Sequence, residues 1–445
     1  MEKKIIIVGA GLVGSLWAVY MRKAGYKVVI YERRSDIRKA EISAGKSINL
    51  ALSERGWNSL KTAGIKEDIE KIAIPMRGRV MHSEEGKLTY QAYGKKDEAI
   101  YSVSRGHLNA IMMDLAEKKG NSEIHYQHQC IDADLKNGKI TLKNLKTNEI
   151  FEDQADVVFA ADGAYSAIRY NSMQKVDRFN FSQFYVEDGY KELLLPAGPM
   201  GEYQIEKNAL HIWPRGRFML IALPNEDGSF TCTLFMPYEN HKYAFNDLDN
   251  DEKIDAFFKT VFPDFYNLMP NLIDNWHQNP LSSMSITRCY PWTIGKFALL
   301  GDSAHSTVPF YGQGMNAGFE DCFVMWELYN NYNNWDDTFR EFQIIRKPDG
   351  DALQDLSLDN YYVMRDHVAD ENFLLQKRIE AKIYENHPDK WVPLYTQVSF
   401  SNIRYSEAYK NGKRQEKIMQ QIMKTPNIKE IWNSKEIEEK IISMI

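Results

Sequence analysis

Short apolar runs closed by glycine turns set the framework of the chain. Lys4–Val8 is a β-branched run that predicts a buried strand. Gly9-Ala10-Gly11-Leu12-Val13-Gly14 follows, then a helix to about Lys23, a turn at Ala24-Gly25-Tyr26, and a second strand over Lys27–Tyr31 that ends in Glu32. Ser47–Gly56 reads as another strand-to-helix passage. The texture then alternates: Arg79–His82, a turn at Glu84–Lys87, and Leu88–Tyr93 predict a hairpin within Ile74–Tyr93. Leu108, Ile111, Met112 and Leu115 mark a helix over Leu108–Lys118. Asp156–Ala160 is a buried strand that ends near Asp162-Gly163 and opens a helix carrying Arg169.

From Phe179 to Pro237 the pattern alternates and is rich in aromatics, which predicts antiparallel strands of a second domain. Asp251–Thr260 looks helical, and the chain returns to the first domain by about Trp292. Lys296–Leu300 is a short strand, and a helix starts near Met315. The character changes after Arg346-Lys347-Pro348, where Leu353–Tyr384 and Ser406–Lys424 read as helices broken by Pro388 and Pro393. Ile428–Ile445 has isoleucines among charges, as expected of an amphipathic helix packed on a core.

Composition adds limits. A length of 445 residues is enough for about three domains. The net charge is 55 − 61 = −6, which argues against nucleic acid as a bulk partner. Cys130, Cys232, Cys289 and Cys322 form no CxxC pair, which fits a reducing, cytoplasmic setting. The ten histidines show no ligand spacing, so no metal is expected. Ile5–Met21 has 17 residues without a charge, but Gly9, Gly11 and Gly14 and the following strand argue against a membrane span.

Chemistry enters at three turns. Gly9–Gly14 is G-x-G-x-x-G in strand–turn–helix context, with Glu32 lying 23 residues after Gly9 to accept from a ribose hydroxyl. An acid there, rather than a basic residue, points to FAD or NAD; Arg33 or Arg34 could lie over the adenine. Asp162-Gly163 is the second turn. Gly301–Asp321 is the third: an acid just past a strand can bond a polyol, and a glycine-rich turn into a helix favours a ring that becomes anionic. Alone, that third stretch reads equally as an ordinary strand–loop–helix with Asp302 at the N-cap.

Together, GAGLVG (Gly9–Gly14), ADGAYSAIR (Ala161–Arg169) and GDSAH (Gly301–His305) resemble the single-component flavin-dependent aromatic hydroxylases of the p-hydroxybenzoate hydroxylase fold. SINLALSERG (Ser47–Gly56), PMRGRVMHS (Pro75–Ser83), SVSR (Ser102–Arg105), VPFYGQGMNAGFED (Val308–Asp321), NYYVMRD (Asn360–Asp366) and PLYTQVSFS (Pro393–Ser401) are similar to the kynurenine 3-monooxygenase family within that class. The resemblance implies an α/β fold: a Rossmann-like FAD-binding domain of residues 1–73, 97–178 and 285–345, an inserted antiparallel β-sheet substrate domain of residues 74–96 and 179–284, and a C-terminal helical region of residues 346–445. It implies hydroxylation of L-kynurenine to 3-hydroxykynurenine with NADPH and O₂ through a flavin hydroperoxide, with tightly bound FAD and no second dinucleotide fold for NADPH. The alternatives are a flavin hydroxylase of another aromatic acid and a non-catalytic binding protein on the FAD fold.

The resemblance also assigns residues. Arg79 and Tyr93 match the positions that hold the substrate carboxylate, and Asn360 and Tyr395 match further substrate contacts. Gly9, Gly11, Leu12, Val13, Gly14, Glu32, Arg33, Ala51, Arg105, Asp162, Asp302, Met315 and Asn316 are the expected cofactor contacts. Pro309 and Phe310 match the loop beside the flavin ring. No catalytic side chain is expected, because the aniline amine of the substrate activates its own ring; His82 and His305 are expected to be structural. One position departs: the family pattern has Glu where this chain has Val363. The membrane anchor of eukaryotic relatives has no expected counterpart in Ile428–Ile445, which is too short and too charged.

Overall fold

A computed structural model describes residues 3–39, 49–93, 98–118, 122–366 and 371–445. Ser47, Ile48 and residues 94–96, all part of the expectations above, lie outside the described residues, as do the side chains of Met364, Arg365 and Asp366. Lys4–Val8 lies inside a six-stranded sheet, between the parallel strands Val157–Ala160 and Lys27–Glu32. Both faces of such strands are covered, which is why KIIIV and VVFA carry almost no polar residue. Phe297–Leu299 pairs beyond Val157–Ala160, and Ser122–Tyr126 beyond Lys27–Glu32, both parallel. The three turns singled out above therefore follow the carboxyl ends of three adjacent strands. That is where an open α/β sheet leaves a crevice for a ligand.

A second sheet has seven strands in the order Leu281–Tyr290, Asn180–Leu195, Phe230–Pro237, Phe218–Pro224, Ala209–Arg215, Gly78–His82 and Leu88–Ala92. The hairpin Gly78–Ala92 joins it by the parallel pairing of Gly78–Met81 with Ala209–Ile212. Alternation sorts its two faces. Leu220 and Ala222 pack into a core with Phe257, Phe258 and Phe265 of the helices Asp251–Val261 and Pro263–Tyr266. Met219, Ile221 and Leu223 face the other way, toward Phe310, Tyr361, Tyr93 and Tyr395.

Two element boundaries differ from expectation. Leu281–Tyr290 stays paired with Asn180–Lys191 of the large sheet, so the strand runs through the boundary placed at residue 285. The helix Trp335–Asp366 runs through Pro348, where a change of element was expected. Proline inside a helix costs about 3 kcal/mol. Ion pairs flank it on both sides: Arg346 Nε donates to the buried Asp321 Oδ1 at 2.8 Å, and Asp349 Oδ2 accepts from the half-exposed Arg404 Nε at 3.0 Å. The expected helix Leu353–Tyr384 is helical on both sides of residues 367–370, which lie outside the described residues, within the helices Trp335–Asp366 and Glu371–Asn386. Ile428–Ile445 forms two short helices whose Ile428, Ile437 and Ile441 pack on Leu375, Ile379, Ile383, Trp391 and Ile418. Among the described residues no helix is long and apolar enough to cross a membrane.

A buried ionic network joins these parts. Asp321 Oδ2 accepts from the Gly301 N–H at 2.9 Å and from His305 Nε2 at 2.6 Å, while Oδ1 takes Arg346. Arg346 also pairs with Glu320 at 2.7 Å, and Glu320 pairs with Arg55 at 2.7 Å. Arg55 Nε donates to the Val398 carbonyl at 3.1 Å, so the network runs from the third turn to the C-terminal helices. Burial raises the Asp321 pKa, but His305 and Arg346 outweigh it and hold the carboxyl below the usual range. Burial lowers His305, and Asp321 outweighs that and raises it.

The signs give a pH window. Asp321 contributes stability above its unfolded pKa of about 3.9, and His305 contributes fully below its unfolded pKa of about 6.5. We predict that the pair stabilises the fold most between those values and loses its worth as pH rises through the raised pKa of His305. Melting temperature against pH, wild type beside His305→Gln, checks this: the alkaline decline should flatten in the variant, and parallel curves would refute it.

Candidate active site

The first turn is shaped by close approach. Gly9 has φ +100°, and a Cβ there would lie 2.5 Å from the Ala161 carbonyl oxygen. A Cβ on Gly14 would lie 2.0 Å from the Gly9 carbonyl oxygen. A Cβ on Gly11 would meet nothing within 4 Å. Open space therefore lies at the start of the helix Leu12–Lys23, whose first turn holds no acid and whose N-cap makes no side-chain bond. Free N–H groups and the positive dipole end suit a pyrophosphate there. Leu12 is half-buried and packs on the same core. Val13 faces protein, because its methyls fill the space beside Gly301 and Gly318. It locks the first turn to the third.

Glu32 is buried at the end of its strand, where Oε2 accepts from the Ala10 N–H at 2.9 Å and Oε1 from the Arg34 N–H and Nε. Burial pushes its pKa up; Arg34 and the Ala10 N–H outweigh that and keep it ionised. An ionised carboxylate holds several acceptor positions, so capacity for a ribose hydroxyl remains. Arg33 is exposed, and Arg34 is the arginine tied to this corner.

The second and third turns interlock. Asp162 accepts from the Ala167 N–H at 2.7 Å and from Ser303 Oγ at 3.1 Å, and Gly163 N–H donates to Ser303 Oγ at 2.9 Å. Arg169 is fully buried and donates to the carbonyls of Ser303 and Ala164. The Asp162 side chain thus serves the protein's own junction. Asp302 is reachable by water, yet protein packs around it from most directions. That crowding raises its pKa, with Arg105 and His305 pulling it back. Arg105 opens the helix Arg105–Glu117 and is exposed toward the same cleft.

The helix Gly314–Tyr332 also starts without an acid in its first turn or a side-chain cap. Met315 there is half-buried. The Asn316 amide is fully engaged: Oδ1 accepts from the Ser53 N–H at 2.9 Å, and Nδ2 donates to the carbonyls of Ala51 and Gly312 at 2.9 and 3.0 Å. Expected as a cofactor contact, its side chain is instead the latch between the strand Asn49–Leu52 and this helix.

The other side of the cleft is aromatic. The Arg79 guanidinium lies 5.2 Å from the Tyr93 ring centre and 5.5 Å from that of Tyr395, and the two rings stack at 5.3 Å. Tyr311 stacks on Tyr395 at 5.8 Å. Arg79 makes no ion pair among the described residues, and the buried Tyr93 hydroxyl has no hydrogen bond of ordinary geometry, although the Tyr395 hydroxyl is near enough to affect it. Burial raises the pKa of both phenols, Arg79 opposing, so both stay neutral donors. Asn360 Nδ2 donates to the Phe310 carbonyl at 2.6 Å, which places Asn360 behind the loop Pro309–Tyr311. Ile221 borders both groups. Pro309 is half-buried on the same loop. His82 lies on the strand of Arg79 at the opposite alternation, bonded to Asp264 and His211 at 2.9 Å each, as a structural histidine should be.

Sequence reasoning missed Ser303, Tyr311 and Arg55. Tyr311 stood beside Phe310 in a quoted motif. Ser303 and Arg55 also stood in quoted motifs, Gly301–His305 and Ser47–Gly56, but their partners lie far along the chain.

The FAD binding domain family matches residues 2–340. A kynurenine 3-monooxygenase of Christiangramia forsetii is 47% identical over 446 aligned residues, covering 100% of this chain and 99% of that one. One of Sus scrofa is 43% identical, covering 93% and 88%. Among solved structures, a variant of 2-methyl-3-hydroxypyridine-5-carboxylic acid oxygenase superposes with TM-score 0.69 at 18% identity, over 83% of this chain and 94% of that one. HpxO of Klebsiella pneumoniae, complexed with FAD, gives TM-score 0.67 at 18% identity, over 86% and 94%. Those two likenesses concern the fold. With a whole-length match to such relatives and a cradle shaped for a dinucleotide, the chain belongs to the kynurenine 3-monooxygenase family of FAD-dependent monooxygenases.

Proposed function

We propose that the protein hydroxylates L-kynurenine: kynurenine, NADPH, H⁺ and O₂ give 3-hydroxykynurenine, NADP⁺ and water. The observation that carries the substrate is Arg79, a cation without an ion pair among the described residues, set between two tyrosine rings in the cleft. A guanidinium offers a carboxylate two parallel bonds, and the Tyr93 hydroxyl beside it supplies a further donor. Ile221, Leu223 and Phe235 form an apolar wall for the aniline ring. Bound FAD supplies electron transfer from NADPH and the activation of oxygen. The chain's own residues bind, orient and exclude water: Gly9–Gly14 and the two open helix starts take the cofactor's anionic groups, Glu32 and Asp302 its hydroxyls, and Phe310 with Tyr361 closes the site to solvent. No side-chain base has to activate the substrate ring, since its own amine supplies the electron density. The four buried, unbridged cysteines support a reducing, cytoplasmic setting.

Val363 favours a second reading. It is half-buried one helical turn beyond Asn360, where a carboxylate would meet an amino group. With valine there, an aromatic acid lacking the amino group would lose less. Comparing NADPH oxidation with kynurenine and with its des-amino analogue separates the two.

Incubation with kynurenine and NADPH should yield a product one oxygen heavier; its absence rules out the assigned reaction. Arg79→Ala should weaken kynurenine binding by about 10- to 150-fold, the range of a hydrogen bond to a charged group, with FAD content unchanged. Unaltered kynurenine affinity would remove Arg79 from the site. Val363→Glu should tighten kynurenine several-fold and leave the des-amino analogue unaffected. Equal effects on both ligands would show that position 363 does not meet the amino group.

A further inference from the structure

Phe310 packs in an apolar cluster with Met219, Phe235, Val308 and Tyr361, its ring 5.0 Å from that of Phe235, but the packing is incomplete on one side. Its ring borders a void of about 10 Å³, room for one water, among Asp188, Arg217, Met219, Phe235 and Tyr361. An atom facing a void lacks the contacts that would fix it. Asn360 fixes the loop by donating to the Phe310 carbonyl, and the ring lies against that of Tyr361, 4.8 Å away at 40°. Tyr361 is itself tethered, because Arg217 Nη1 donates to its hydroxyl oxygen at 3.3 Å. The same Nη1 pairs with Asp188 Oδ2 at 2.9 Å, and Nη2 pairs with Glu187 at 3.0 Å.

The backbone is built to deliver this pair. Arg217 follows Gly216, at φ +63°, in the turn between Ala209–Arg215 and Phe218–Pro224. Asp188 lies where the pairing with Leu281–Tyr290 shifts register between Tyr185 and Gly189. Such irregularities re-aim side chains. Asp188 is 2% exposed, so its ion pair is costly to desolvate and is weak support for stability.

Resting on the functional reading above, we propose that Asp188 and Arg217 are positioning residues for hydroxylation: through Tyr361 they hold Phe310 where it steers activated oxygen to the substrate ring. The competing outcome is NADPH, H⁺ and O₂ giving NADP⁺ and H₂O₂. Slack in Phe310 diverts turnover into it.

The test uses FAD-loaded Tyr361→Phe, which keeps the ring and loses one hydroxyl, and Arg217→Met. The readouts are peroxide formed per NADPH oxidised at saturating kynurenine, kynurenine affinity, and visible circular dichroism of the bound flavin. Both variants should raise the ratio of peroxide to hydroxylated product about fivefold, the worth of one net hydrogen bond, and alter the dichroism, with affinity changed by about twofold at most. Arg217→Lys should recover most of the coupling. An unchanged ratio and dichroism in Tyr361→Phe overturns the proposal, even if Arg217→Met fails to fold. Wild-type protein that makes no hydroxylated product overturns the functional reading instead; the dichroism of Tyr361→Phe then still decides whether Phe310 is positioned in this way.

Discussion

The carboxylate of Asp321 is the constraint on which the arrangement depends. It accepts the Gly301 N–H of the third turn, the His305 ring and the Arg346 guanidinium, all inside the protein. Removing it would leave Arg346 with an incomplete set of anions in a buried place, which is far more costly than losing a surface pair. Through Glu320 the same network reaches Arg55, and through Arg55 the carbonyls of Val398 and Ile403. The cofactor cradle, the loop of Phe310 and the segment bearing Tyr395 are therefore held by one set of charges. The helix that crosses Pro348 carries Arg346 of that network.

The active cleft follows from two independent geometries meeting. Parallel strands end together, so three turns that are distant in sequence lie side by side at one edge of the sheet. Two helices start there without acids, which leaves their positive ends without a side-chain counter-charge, and the first faces open space at Gly11. The inserted seven-stranded sheet then presents Met219, Ile221 and Leu223 on the face toward the cleft, and their alternates on the face toward its own helices. One sheet thereby supplies both a core and a substrate wall.

Several side chains serve the junctions between motifs rather than a ligand. Asp162 binds Ser303, Val13 packs on Gly301 and Gly318, and the Asn316 amide ties Ala51 to Gly312. A motif residue can be indispensable because it holds the cradle's parts in register. The spacing of a motif does not distinguish that use from direct contact, because both need the same residue in the same turn.

What the sequence determined by itself was local: apolar runs, alternation and glycine turns, each set by contacts within a few residues. These located the strand Lys4–Val8, the hairpin carrying Arg79, and the three turns. The family resemblance then singled out Arg79, Tyr93 and Tyr395, which the fold does bring together. The tertiary structure alone decided that the helix continues through Pro348, that Leu281–Tyr290 stays in the large sheet, and that Asn316 turns its amide to the protein. Each is set by a balance between local propensity and partners tens to hundreds of positions away. No window along the chain contains both sides of that balance.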